Sequence, residues 1–238
     1  MIDQSYFFKF DNTYNLVYQN NRIGLGVIRT PRGFHSALLF NFNNHIFLLH
    51  LVGHCSINLE QIHELSNDEI YCIQWITNLE QSTIDHMIVA FIHILTKYRQ
   101  SIPYAPLYNH KHEYFNSELE YTGKLGFSCS SFIFHVFSRK GINFIDIDSW
   151  EISSQALSWQ QGIINLLESH IPSEQRKTLN TNDFIEELKS ELGISPRISP
   201  DELSAGGYHY IQQSQPQKYS FVQTQLSGMH NVIDAVCT

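Results

Sequence analysis

The sequence predicts an α+β fold in which an antiparallel sheet packs against a helix. Three observations carry the expectation. The chain has 238 residues, 42% of them hydrophobic and 13% aromatic, enough to close a substantial core. Residues 34–52 read as two apolar strands around an asparagine-rich turn. Residues 80–98 and 128–140 carry apolar side chains at the 3.6-residue period of helices.

Tyr6-Phe7-Phe8-Lys9-Phe10 and Tyr14-Asn15-Leu16-Val17-Tyr18 are short aromatic or β-branched runs bounded by polar turn residues, and predict strands. Gly24-Leu25-Gly26 lacks the third glycine of a dinucleotide loop and the lysine of a P-loop, so nucleotide binding is discarded. In the hairpin, Phe34–Phe40 is one strand and Ile46–Leu51 the next, with Asn43-Asn44 as a two-residue turn, because asparagine tolerates positive φ. That turn places Leu39 opposite Leu48 and Ala37 opposite His50. Side chains alternate along a strand, so His35 shares a face with His50, with Cα atoms roughly 7–8 Å apart.

Residues 56–68 are polar and read as a loop into a helix or turn, and Ile70–Trp75 as another strand. In 80–98 the residues Ile84, Met87, Ile88, Phe91, Ile92 and Leu95 form one helical face. Pro103 and Pro106 then enforce an extended loop. Over 128–140, Ser128 is the expected N-cap, Phe132, Ile133, Val136 and Phe137 the apolar stripe, and Gly141 the stop. Cys129 sits in the first turn on the face that packs inward. Beyond 145 the character changes: 182–192 is a short amphipathic helix, 212–219 reads as a polar linker, and Tyr208-His209-Tyr210 after Gly206-Gly207 reads as a flap. The division expected is a catalytic domain over 1–145 and a C-terminal extension over 146–238 packed on it.

Charge and composition remove several functions. Lys plus Arg is 15 and Asp plus Glu is 23, a net charge of −8, which argues against a general nucleic-acid binder. No apolar run approaches the ~20 residues of a membrane span, and no signal peptide is recognisable, so an integral membrane segment is not expected and a cytoplasmic location is. Cys55, Cys72, Cys129 and Cys237 are too scattered for a disulfide scaffold or a closed zinc site.

A cysteine at a helix N-terminus has a chemical advantage. Unpaired amides and the helix dipole favour its thiolate and can stabilise an oxyanion. It also needs a base, and a second polar group to orient that base. The hairpin offers both, His35 as base and His50 as orienting partner for Cys129.

The order of a histidine strand, a second histidine strand and a Cys-initiated helix resembles the circularly permuted branch of the NlpC/P60 papain-like superfamily, which includes the lecithin:retinol acyltransferase-like proteins. The matching segments are His35-Ser36-Ala37-Leu38-Leu39-Phe40, Phe47-Leu48-Leu49-His50-Leu51 and Phe127-Ser128-Cys129-Ser130-Ser131-Phe132-Ile133, and the resemblance covers about residues 20–145. It implies a papain-like fold, with Cys129 as nucleophile, His35 as base and His50 as the residue that orients it. Ile102-Pro103-Tyr104-Ala105 resembles the loop ahead of the nucleophile in bacterial members, which implies an oxyanion or pocket role for Tyr104, with Ser128 beside it. The Asn-Cys-Glu-His pattern of the acyltransferases is absent around Cys129. The implied substrate is a peptide, a peptidoglycan fragment or an acyl lipid, with no cofactor and no metal.

Each residue also has a plainer reading. Cys129 can be an inert buried thiol and His35 a satisfied structural histidine. His45 and His54 compete with His50 but fall off the His35 face. His135 lies about 240° round the helix from Cys129. His110-Lys111-His112 offers alternate ligands of a strand with no third ligand, and His63-Glu64 lacks the second histidine of a zincin. The expectation is a cysteine hydrolase or acyl or peptidyl transferase with a Cys-His-His triad acting through a thioester. The alternative is a catalytically silent papain-like binding or regulatory module, with the extension as surface for a protein partner.

Overall fold

In the computed structural model the chain is described over residues 2–10, 21–30, 33–43, 45–61, 70–116, 118–122, 125–170 and 181–237. The strands are β1 (Phe7–Phe10), β2 (Arg22–Thr30), β3 (Gly33–Phe42), β4 (His45–Gly53), β5 (Ser56–Gln61) and β6 (Ile70–Trp75). They form one antiparallel sheet in the order β1-β6-β2-β3-β4-β5. The helices are α1 (Gln81–Tyr98), α2 (Cys129–Ser138), α3 (Ser154–His170), α4 (Thr181–Glu191), α5 (Pro200–Gln213) and α6 (Tyr219–Cys237). The fold is α+β, as expected.

The hairpin has the expected register. Leu39 pairs with Leu48, and Asn43 takes the left-handed conformation at φ 51° that asparagine tolerates. Pairing of β3 with β4 runs from Phe42–His45 to Leu38–Leu49. Beyond that point lie His35 and His50. Both faces of the sheet centre are buried. Leu38, Phe40, Leu25 and Leu49 enter the main core, while Ala37, Leu39 and Leu48 are fully covered on the other side. A Cβ at Gly26 would come 2.4 Å from Leu39 Cδ1, so the bare glycine leaves room for that leucine.

α2 packs on β3 and β4, and α1 on β2 and β5. Phe91 of α1 bridges them, with ring centroids 6.3 Å from Phe40 of the sheet and 6.2 Å from Phe137 of α2. Helices beyond residue 145 enter the same core. α5 packs on β2 and β3, α6 on β1 and β6, and Ile164, Leu188, Leu203, Val222 and Ile233 share one buried cluster with Leu25, Phe40 and Phe132.

Three sequence expectations need correction. Residues 56–61 are the edge strand β5, not a loop, because Ile57 and Leu59 alternate inward after the tight Gly53–Ser56 turn. Tyr208-His209-Tyr210 lies inside helix α5 rather than on a flap. Gly206 and Gly207 serve close packing: a Cβ on Gly206 would meet Ile145 Cγ2 at 2.6 Å, and one on Gly207 would meet Leu25 Cδ1 at 2.5 Å. Residues 212–219 are not a free linker. Ser214 closes α5 in the left-handed conformation, and Gln217 is buried, accepting from Asp146 N (2.8 Å) and donating its amide to Phe144 O (3.1 Å). The run 14–18 and His63-Glu64 fall outside the described residues, as do the side chains of Cys72 and Cys237.

Candidate active site

Ser128 starts α2 with a complete capping box. Its hydroxyl accepts from Ser131 N (3.2 Å), and the Ser131 hydroxyl accepts from Ser128 N (2.8 Å). This places Cys129 as the first helical residue. The Ser128 hydroxyl also donates to Ser131 Oγ (3.1 Å), so it holds the helix start.

The Cys129 thiol is hydrogen-bonded by the His35 ring, the Ser36 amide and the Ser130 hydroxyl, the last at 3.8 Å. Ser130 is in turn held by Ser36, Oγ to Oγ 2.9 Å, which locks β3 to the first turn of α2. His35 Nε2 lies 2.9 Å from His50 Nδ1, with ring centroids 5.0 Å apart. One ring nitrogen of His35 therefore serves His50 and leaves the other for the thiol. The three residues expected to act together are joined in one hydrogen-bonded chain.

An acid stands beyond His50. The His50 Nε2 faces Glu60 Oε2 at 3.5 Å, and Asn58 donates to Glu60 Oε1 (3.2 Å). His50 is buried, whereas the Glu60 side chain is 30% exposed. Glu60 belongs to β5, two residues beyond the position paired with His50. Sequence reasoning misses it because the polar run 56–68 reads as a loop. The Ile57-x-Leu59 alternation was the available signal, since it sends residue 60 to the His50 side of the sheet.

The electrostatics favour a thiolate. Burial alone pushes the Cys129 thiol up. The hydrogen bond and charge of His35, then the Ser36 amide and Ser130, more than offset it, so the thiol lies below its ordinary range. Cys55 has only the upward effect of burial.

Tyr104 belongs to the same site. Its loop is bridged to the approach to α2: Phe127 N donates to Pro103 O (3.1 Å) and Ala105 N to Phe127 O (2.9 Å). A Cβ on Gly126 would lie 1.9 Å from Pro103 O, so only glycine allows the two strands of chain to come this close. Burial, and then Cys129, raise the Tyr104 phenol, while Arg197 draws it down. Tyr104 N donates to His54 Nδ1 at 3.4 Å, which occupies His54 outside the triad.

The other histidines separate from the site. His135 is buried in an aromatic cluster and pairs with Tyr108 Oη at 2.8 Å. His110 and His112 lie in a loop, His110 facing Asp148 at 3.0 Å and His112 facing Glu191 at 3.3 Å. No group of three His, Cys, Asp or Glu side chains suited to a metal ion occurs among the described residues. A cavity of about 890 Å³, lined in part by Tyr108, His112, His135 and Arg139, contains none of the candidate site residues. No helix among the described residues is long and apolar enough to cross a membrane.

No family model, curated protein or solved structure matches this chain.

Proposed function

We propose that the chain is a cysteine hydrolase or an acyl or peptidyl transferase, with a papain-like fold of the permuted NlpC/P60 type. The observation that carries the reading is the continuous Cys129–His35–His50 hydrogen-bonded chain, seated where β3 meets the start of α2. Antiparallel strands ahead of a helix that begins on the nucleophile suit that fold.

In this reaction His35 takes the thiol proton and the Cys129 sulfur attacks the carbonyl carbon of an amide or ester. The C=O electron pair moves onto oxygen, where backbone amides at the start of α2 stabilise it. The C–N or C–O bond then breaks, His35 returns the proton to the leaving amine or alcohol, and a thioester remains on Cys129. Water or an acceptor nucleophile, deprotonated by His35, releases the acyl group. His50 keeps the His35 ring in place, and Glu60 steadies His50. Peptides, peptidoglycan fragments and acyl lipids are the substrate classes to screen, and the reading includes a cytoplasmic location, where a free thiol stays reduced.

The test is intact-mass spectrometry of the protein mixed with an activated ester, p-nitrophenyl acetate. The expected result is an acetyl adduct on Cys129 that builds and decays in the wild type, is absent in Cys129→Ser and is at least tenfold slower in His35→Ala. A second reading, a scaffold that binds rather than turns over, draws on the 8% exposure of Cys129. No adduct at Cys129 under any of these conditions would favour it.

A further inference from the structure

We propose that Ser36 is a positioning residue for Cys129, its hydroxyl aiming the Ser130 O–H at the sulfur. The inference rests on the reading of Cys129 as nucleophile and adds how a thiolate is held where water hardly reaches.

Ser36 breaks an apolar row. It pairs with Val27 of β2 and shares its sheet face with Leu38 and Phe40, both in the main core. Ser130 stands in the first turn of α2, ahead of Phe132 and Ile133. Both serines are buried, at 2% and 0% exposure. Among the described residues their hydroxyls bond only each other (2.9 Å) and, from Ser130, the Cys129 sulfur (3.8 Å). A buried hydroxyl costs free energy unless it is bonded, and two alanines in place of a bonded pair are close to neutral for stability. Holding the sheet to the helix therefore does not call for this pair, whereas a charged sulfur beside it does.

The protons can be placed. Ser36 and Ser130 bring one O–H each, and a thiolate brings only lone pairs. With Ser130 donating to the sulfur, its oxygen is left to accept from Ser36, and both hydroxyl protons are used. In the reverse order the Ser36 proton has no acceptor among the described residues and the sulfur loses a donor. Ser36 thus serves Cys129 twice, through its backbone amide and through Ser130. A hydrogen bond to an anion is stronger than one to a neutral group, and a donor whose own oxygen accepts a bond is stronger again. Cys129 is 8% exposed, so these protein donors take the place of water around the charge.

The test is the pH profile of Cys129 alkylation by iodoacetamide in the full chain, read by peptide mass spectrometry. Four proteins are compared: the wild type, Ser36→Ala, Ser130→Ala and the double variant. The titratable groups around the sulfur, His35 and Tyr104, are kept in all four. Far-UV circular dichroism and urea unfolding report the fold. The double variant should be at least as stable as Ser130→Ala, which strands the Ser36 hydroxyl.

The profile should move to higher pH in Ser130→Ala, slowing labelling on its acid limb roughly fivefold, and move the same way by roughly twofold to threefold in Ser36→Ala. In the Ser130→Ala background, Ser36→Ala should add less than about twofold, since its path to the sulfur is already cut. Three results overturn the role of Ser36 while Cys129 stays fast and dependent on His35. They are a Ser36→Ala profile that matches wild type, an equal Ser36→Ala effect with and without Ser130, and a wild-type profile in the double variant, which would make the pair a structural lock. If Ser36→Ala alone does not fold, the double variant decides: as slow as Ser130→Ala it supports the proposal, and as fast as wild type it overturns it. Wild-type Cys129 labelled no faster than Cys55, and indifferent to His35→Ala, overturns the nucleophile reading itself.

Discussion

Cys129 is an unusual residue for its burial. A covered thiol ordinarily becomes harder to ionise, as Cys55 does, yet His35, the Ser36 amide and Ser130 pull Cys129 the other way. The same comparison assigns a task to Glu60. Its charge, 3.5 Å from His50 Nε2, favours positive charge on the paired imidazoles and so favours the thiolate. Glu60→Gln should move the pH profile of Cys129 alkylation to higher pH and slow it roughly twofold to fivefold at neutrality, a modest effect because Glu60 is partly solvated. A profile identical to wild type would remove Glu60 from the chain. His35, His50 and Cys129 were legible in the sequence because each depends on a local rule: strand alternation about an asparagine turn, and a serine cap before an apolar helix. The tie between the loops of Pro196 and Tyr108 was not, because it joins segments far apart in the chain, which no local pattern encodes.

At the scale of elements, the site is a junction of β3, the first turn of α2 and the Tyr104 loop. Gly126 sets the spacing of the last two. Gly126→Ala forces a Cβ to within 1.9 Å of a backbone oxygen, and backbone cannot step aside as a side chain can. The variant should lose about 1–3 kcal/mol in urea unfolding and slow Cys129 alkylation more than Cys55 alkylation. Equal stability would show that the two segments can separate freely. The hairpin, α1, α2 and α4 were readable from periodicity and caps. The helix around Tyr208-His209-Tyr210 was not readable, since two adjacent glycines argue against a helix, each costing about 1 kcal/mol relative to alanine. Tertiary packing overrides that cost here, since the bare backbone of these glycines lets α5 approach Leu25 and Ile145 without displacing their side chains.

Over the whole molecule, one core runs from the sheet through the helices beyond residue 145, and burial disfavours the charged form of several histidines. His135 is the extreme case. Burial, with Arg139 nearby, pushes it down to about 3 from 6.5. The folded state therefore refuses a proton that the unfolded chain accepts, so stability falls as pH drops below about 6.5 and goes on falling toward about 3. From pH 7 to pH 5 this group alone should remove about 2 kcal/mol of unfolding free energy. His54 and His209 shift the same way through burial and add to the slope. In His135→Phe the pH dependence should be shallower by that amount, whatever the stability at pH 7. An unchanged slope would mean that His135 takes up its proton while folded.

The central claim is that Cys129 and His35 form an activated pair, and the pH dependence of Cys129 alkylation by iodoacetamide tests it most directly. In the wild type, labelling should persist well below the ordinary thiol pKa of ~8.5 and fade only as pH falls through the lowered value, while His35→Ala should return the profile to the ordinary range. Labelling no faster than at Cys55, and indifferent to His35, would contradict the account.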